Sequence, residues 1–257
     1  MKLARIIGKK LSEIPMAPDI KRPHPHTSVG IEVEVENVFR FQNIEWKRWS
    51  TVTEGSILDG IEFVSEPVWG TAITDALDEL GDYLETQEPN ISFRTSVHIH
   101  MNVLDISKEQ LSNLIELYLA YEPTLFRLHQ EYDRANCVFC IPAYNSHVIT
   151  KGYGQLLKDL KHDQVRGAYI PCKYSAMNIN CLSSLGTLEF RQMGGTTDMN
   201  KISDWINILL QLKVAAIKGV DYKKPSEVWG SYEKLLDIKE DDLSLGKRSL
   251  SFLNLWR

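Results

Sequence analysis

Carboxylate and imidazole side chains recur in this sequence at intervals of two, the interval at which a β-strand sends side chains to the same face. In Gly30-Ile31-Glu32-Val33-Glu34-Val35-Glu36 one face is Ile31, Val33 and Val35, and the other is carboxylate throughout. Like charges held side by side repel, so such a face calls for a nearby cation. A single strand with an outward charged face that protects a sheet edge from further pairing would look the same. Recurrence favours the cation. Glu62 sits close to Ile61 and Val64 in a run closed by Pro67, where an acid is costly unless it is paired or bound to metal. His98, His100 and Asn102 share a face in Val97–Val103, opposite Ile99 and Met101, in a chain with only 7 histidines. Thr187, Glu189 and Arg191 share another in Gly186–Met193, while Leu188 and Phe190 pack.

The chemistry follows from bringing these groups together. Two carboxylates ~5 Å apart repel by about 3 kcal/mol at an effective dielectric near 20. Convergence of Glu32, Glu34, Glu62, His98 and Glu189, with Glu54 on the turn Thr53-Glu54-Gly55-Ser56, therefore asks for divalent cations. Oxygen-rich sets with one imidazole suit Mg²⁺ or Mn²⁺, whereas zinc would ask for more nitrogen or sulfur. Such clusters hold nucleotide phosphates between metals, and an arginine, here Arg191, neutralises charge on the phosphoryl group in transfer.

The strands that must carry these residues are interleaved with helices. Apolar spacing predicts helices over Ala72–Leu84, over Lys108–Gln130 with Ser107 as its cap, over Tyr153–His162, and over Ile202–Lys218 between a cap at Asp198 or Asn200 and Gly219. Lys173–Asn180 and Gly186–Met193 read as a hairpin around a Leu-Ser-Ser-Leu loop. Trp46 and Trp49 in Asn43–Ser50 are expected to plug the core rather than edge a pocket. Pro15, Pro18, Pro23 and Pro25 make residues 1–28 an irregular arm lying on the body, with no role for its His24 and His26. Residues 29–257 contain no repeat and no dividing linker, so one domain is expected, with a helical and charged extension from about residue 220.

Composition narrows the function classes. The chain has 257 residues, 43% apolar and 25% charged, enough for a sizeable core. A net charge of −5 gives no footprint for nucleic acid, and no nucleic-acid partner is expected. No run is long enough to span a bilayer, and Met1–Lys10 lacks the apolar centre of a signal peptide, so a cytoplasmic protein without membrane association is expected. Cys137-x-x-Cys140 with single Cys172 and Cys181 lacks the paired spacing of a zinc ribbon, and these are read as thiols in a reducing compartment.

The order of these motifs resembles the carboxylate-amine ligases related to glutamine synthetase and γ-glutamylcysteine synthetase, in particular their amidoligase branch. The matching pieces are G-x-E-x-E (Gly30, Glu32, Glu34), an acid-Gly-Ser (Glu54, Gly55, Ser56), G-x-E-x-x-S-x-P (Gly60, Glu62, Ser65, Pro67), H-x-H (His98, His100), R-x-N (Arg134, Asn136), N-x-N (Asn178, Asn180) and T-x-E-F-R (Thr187, Glu189, Phe190, Arg191). They run over roughly residues 29 to 218. The resemblance implies an α+β fold, a curved and mainly antiparallel sheet flanked by helices, with ATP and two or three Mg²⁺ ions on its concave face. It implies Glu32, Glu34, Glu62, His98 and Glu189 as metal ligands, and Arg191, Glu189 and Glu32 as the catalytic group. Glu54 departs from the family's usual aspartate. His100, Ser56, Arg134 and Lys173 join Arg191 as expected contacts to nucleotide or substrate, the last two on charge and loop position. The implied reaction joins a small-molecule or peptide acid to an amine through an acyl phosphate. A phosphotransferase on the same fold and a non-catalytic interaction module are the alternatives; the intact set of acids argues against the module.

Overall fold

A computed structural model describes residues 1–9, 28–38, 45–53, 55–129, 134–169 and 171–256. Among them six strands form one open antiparallel sheet: β1 (Val29–Glu36), β2 (Trp49–Val52), β3 (Gly60–Ser65), β4 (Ser96–Asn102), β5 (Met177–Asn178) and β6 (Thr187–Gly194). Their order is β2-β3-β1-β4-β6-β5, which makes the acidic β1 and the histidine-bearing β4 central neighbours. Register then does the assembling. Glu34 lies opposite Glu62, Glu32 opposite His98, and Glu189 opposite both His100 and Asn178. Between β4 and β6 the register slips, Val97 pairing Met193 while Ile99 pairs Phe190, so β6 carries one additional residue beside Arg191. Bulges of this kind bend a strand and re-aim its side chains.

The opposite face is apolar and covered by helices. Ile31, Val33, Val35, Phe63, Val97, Ile99, Leu188 and Phe190 are buried there, each contributing roughly 1.5–3 kcal/mol of hydrophobic stabilisation. The helices are α1 (Leu3–Ile7), α2 (Thr71–Glu85), α3 (Lys108–Arg127), α4 (His147–Lys161), α5 (Cys181–Ser184), α6 (Met199–Lys218), α7 (Pro225–Trp229), α8 (Glu233–Leu236) and α9 (Glu240–Trp256). Tyr118 of α3 meets Phe190 edge to face at 5.7 Å. Ser107 caps α3 in a reciprocal capping box with Gln110, Asp198 caps α6, and Gly219 ends α6 at φ 68°, a left-handed conformation that glycine adopts without steric cost. Trp49 is buried with its indole donating to Ala76 O, and Trp46 packs edge to face on Phe63 and Tyr83, so both tryptophans plug the core. No helix among the described residues is long and apolar enough to cross a membrane.

Several elements differ from the sequence expectation. Residues 3–7 of the leader are helical, not irregular, and α1 is pinned by Leu3 N–H to Ile106 O and Ala4 N–H to Leu104 O. Residues 10–27, with His24 and His26, lie outside the described residues, as does Glu54. The strand expected over Lys173–Asn180 is only the two-residue β5, preceded by a 3-10 turn at Cys172–Tyr174. Ser175 explains this: its hydroxyl lies 2.6 Å from both Cys172 O and Met177 O and shares its one proton between them, a local alternative to a ladder. The Leu-Ser-Ser-Leu connection is α5. In the tail, the charged segment at Lys239–Asp242 opens a 17-residue helix, where its acids favour the positive end of the helix dipole.

Candidate active site

Glu32 is the hub of the polar face. Its Oε2 accepts from His98 Nδ1 at 3.0 Å and its Oε1 from His100 Nε2 at 3.0 Å. Ser96 donates its hydroxyl proton to Glu34 Oε2 at 2.6 Å and lies 2.8 Å from His98 Nε2. On the far side, Glu189 Oε2 accepts from Asn178 Nδ2 at 2.6 Å, and Oε1 pairs with Arg191 Nη1 and lies 3.7 Å from His98 Nδ1. Arg191 is further fixed by Nε donating to Phe139 O at 3.0 Å.

These contacts set the charge states. Burial opposes ionisation of Glu32, but hydrogen bonds and the fields of His100 and His98 hold it well below the usual carboxylate range. His100 moves the other way, up to about 10: burial works against its charge, and bonds to Cys181 and Glu32 outweigh it. Glu189 is lowered although burial opposes this, because His98, Arg191 and His100 are close; Arg191 is raised, against its own burial, chiefly by Glu189. Glu32 and Glu189 are therefore held ionised against the cations of His100 and Arg191.

Above it opens a cavity of about 730 Å³, within the range of small-molecule sites, with Glu32, Glu34, Glu62, His98 and Arg191 among its lining. Its mouth is aromatic and basic. Phe93, Phe139 and Tyr174 are 66%, 48% and 42% exposed, with the Arg94 guanidinium 5.2 Å from the Phe93 ring centre and Lys173 Nζ 5.6 Å from that of Tyr174. Ligand atoms of Glu32, His98 and Glu189 all lie within 4.8 Å of one another, and so do those of Glu34, Glu62 and His98. Carboxylate oxygens with a single imidazole form a donor set that fits Mg²⁺ or Mn²⁺.

Residues 36–213 match the family model described as "Putative amidoligase enzyme", more than half of the chain. The chain belongs to this amidoligase family. No curated protein and no solved structure matches it. Membership points to an enzyme of the ligase type. The matched span contains Glu62, His98, His100, Arg134, Lys173, Glu189 and Arg191; Glu32 and Glu34 precede it and join the site through the pairing of β1 with β3 and β4.

Placement in the fold sorts the expected residues. Glu32, Glu34, Glu62, His98, Glu189 and Arg191 come together, and Ser56 and Lys173 line the cavity. Arg134 also lines it, but its side chain is buried and Nη2 donates to Arg191 O at 3.1 Å, so it braces β6 from below. His100 lies on the other side of Glu32, held between Glu32 and Thr187 Oγ1, and lines a different cavity. Glu36, third in the acidic run, accepts from Leu58 N–H at 3.0 Å and ties down a turn. The cysteines are free thiols, and among the described residues none belongs to a set placed to hold a metal. The sequence reading missed Ser96, although its place two residues before His98 on the same face was a signal that could have found it. Phe93, Arg94 and Phe139 sit in connections without periodicity, where no signal marks them.

Proposed function

We propose that the protein is an ATP- and Mg²⁺-dependent carboxylate-amine ligase that forms an amide or peptide-like bond through an acyl phosphate. One observation carries this reading: two overlapping ligand sets, Glu32–His98–Glu189 and Glu34–Glu62–His98, lie side by side, Glu32, Glu34, Glu62 and His98 lining one cavity with Arg191. Those residues would hold the cations, which when bound screen and orient the phosphates. The chain's own groups do the rest. Ser96 and Asn178 fix the orientations of Glu34 and Glu189 by hydrogen bonds to their outer oxygens, as supporting partners commonly do around metal ligands. The Arg191 guanidinium neutralises charge spread over the phosphoryl oxygens. Lys173 and Ser56 bind phosphate or the acid's carboxylate nearer the mouth, and the rings of Phe93, Phe139 and Tyr174 limit water, which would hydrolyse an acyl phosphate.

In the reaction a carboxylate oxygen of the acid attacks the γ-phosphorus, the bond to ADP breaks, and the amine then displaces phosphate from the acyl carbon. The test is phosphate release from ATP, screened over amino acids, polyamines and peptides. Release that requires both an acid and an amine is the expected result. A stable phosphorylated acceptor would transfer the reading to a phosphotransferase, and no turnover with any pair would remove it.

A further inference from the structure

The polar face of the sheet carries a second cavity, of about 230 Å³, and the two cavities share one described lining residue, Glu32. The strand register explains the opening. Gly30 lies opposite His100, two residues before Glu32 on β1, so it occupies the site face and leaves the floor bare where any other residue would place a side chain. A Cβ added there would meet only His100 Cβ at 3.5 Å. Val64, Pro67 and Leu185 supply aliphatic wall; Glu32, His100 and Thr187 supply the polar end, with His100 Nδ1 3.2 Å from Thr187 Oγ1. Among the described lining residues there is no lysine or arginine, and the charged imidazole of His100 is already paired with Glu32, so a substrate carboxylate or phosphate finds no uncommitted cation among them.

We propose that this cavity is the acceptor subsite, taking a small aliphatic primary amine that bears no carboxylate and presenting its nitrogen at the Glu32 end to the activated acid. The assignment rests on the ligase reading. Ligation needs the amine as free base, and an aliphatic lining disfavours the ammonium form by desolvation. The nitrogen lone pair forms the C–N bond while the acyl C–O bond to phosphate breaks. That electron pair leaves with phosphate, which takes up the proton released by nitrogen. Entry from opposite sides of Glu32 lets nucleotide and acid fill the large cavity without blocking the amine.

Two measurements test this separately from the ligase reading. In the first, ¹⁵N-histidine-labelled protein is titrated with ethylamine, propylamine and n-butylamine, reading the His100 ring signal. A saturable shift is expected, tightening about fourfold per methylene, as about 0.8 kcal/mol per buried CH₂ implies. Gly30→Val should weaken n-butylamine at least tenfold and Gly30→Ala by less, the alanine making only an ordinary contact so that the fold is kept. A His100 signal indifferent to all three amines, or affinities independent of chain length, overturns the subsite. In the second, ATP, Mg²⁺ and a pool of carboxylic acids are supplied with either hydroxylamine, which is small enough to need little of the cavity, or n-butylamine. Gly30→Val should lower the ratio of butylamide to hydroxamate at least tenfold; an unchanged ratio overturns the subsite while leaving the ligase reading intact. Absence of hydroxamate in the wild type overturns the ligase reading, and the amine titration still decides the subsite.

Discussion

Glu122 is fully buried in α3 (0% exposed), under the strand that carries Arg191. Its Oε1 accepts from the Tyr118 hydroxyl at 2.8 Å and its Oε2 from Tyr144 N–H at 3.2 Å, while Gln192 of β6 donates to the Tyr118 oxygen at 2.8 Å. Burial pushes the carboxyl up from 4.5 to about 7, because bonds from Ala143, Tyr118 and Tyr144 offset only part of the lost hydration. The folded value is the raised one, so the stability is fully present below the unfolded value of 4.5 and is lost as pH rises through about 7. When both states are ionised the loss amounts to about 3 kcal/mol, and most of it falls between pH 5 and pH 8. Glu122→Gln cannot ionise. Its carbonyl accepts from Tyr144 and its amide donates to Tyr118, leaving the Tyr118 proton without an acceptor at a cost of about 1–3 kcal/mol at every pH. The variant's absolute stability is therefore a poor readout, whereas its pH slope is a good one. In thermal unfolding of a chain this size, a loss of about 2–3 kcal/mol corresponds to roughly 5–10 °C. The melting temperature of the wild type should fall by that much more than the variant's from pH 5 to pH 8. Parallel curves would refute the assignment of a raised carboxyl.

Two further outcomes bear on the site. Mg²⁺ with a non-hydrolysable ATP analogue at ~100 times its dissociation constant should raise the melting temperature by roughly 5–10 °C, since linkage contributes about 2.7 kcal/mol. Either alone should give much less, and Glu32→Gln/Glu34→Gln almost nothing; an unmoved wild-type curve would favour the interaction module. Glu189→Gln and Arg191→Ala should each lower nucleotide turnover at least ~100-fold. Calorimetry should find Mg²⁺ binding weakened in the first and retained in the second; full turnover in both would dissolve the assignment.

Alternation revealed which residues share a face, because the period of two is a property of any strand. It could not reveal which strands are neighbours. That Glu34 faces Glu62 and Glu189 faces His100 follows from the order β3-β1-β4-β6, which long-range packing decides. Glu36 shows the limit from the other side: it keeps the alternation yet serves a turn, because it stands at the last residue of β1. β5 was overestimated because Ser175 diverts the backbone, and β2, only 4 residues long and mostly exposed, has too little apolar pattern to announce itself. Arg134 was assigned from charge, but a guanidinium's charge does not say which oxygen it will find, and here it finds the carbonyl of Arg191.

Three acids of this face are answered by donors from the chain: Glu32 by His98 and His100, Glu34 by Ser96, Glu189 by Arg191 and Asn178. These partners counter a repulsion of about 3 kcal/mol per close carboxylate pair, so the cluster is assembled by the fold itself before any ligand arrives. Preassembly has a consequence for coupling. Arg191 is held by Glu189 Oε1, and Glu189 belongs to one of the two ligand sets. A cation bound through that oxygen would compete with Nη1, and the guanidinium would then have a donor to offer another anion in the same cavity. One carboxylate oxygen would thus link cation binding to phosphate binding. That is the physical reason to expect Mg²⁺ and nucleotide to stabilise the protein together more than the sum of their separate effects.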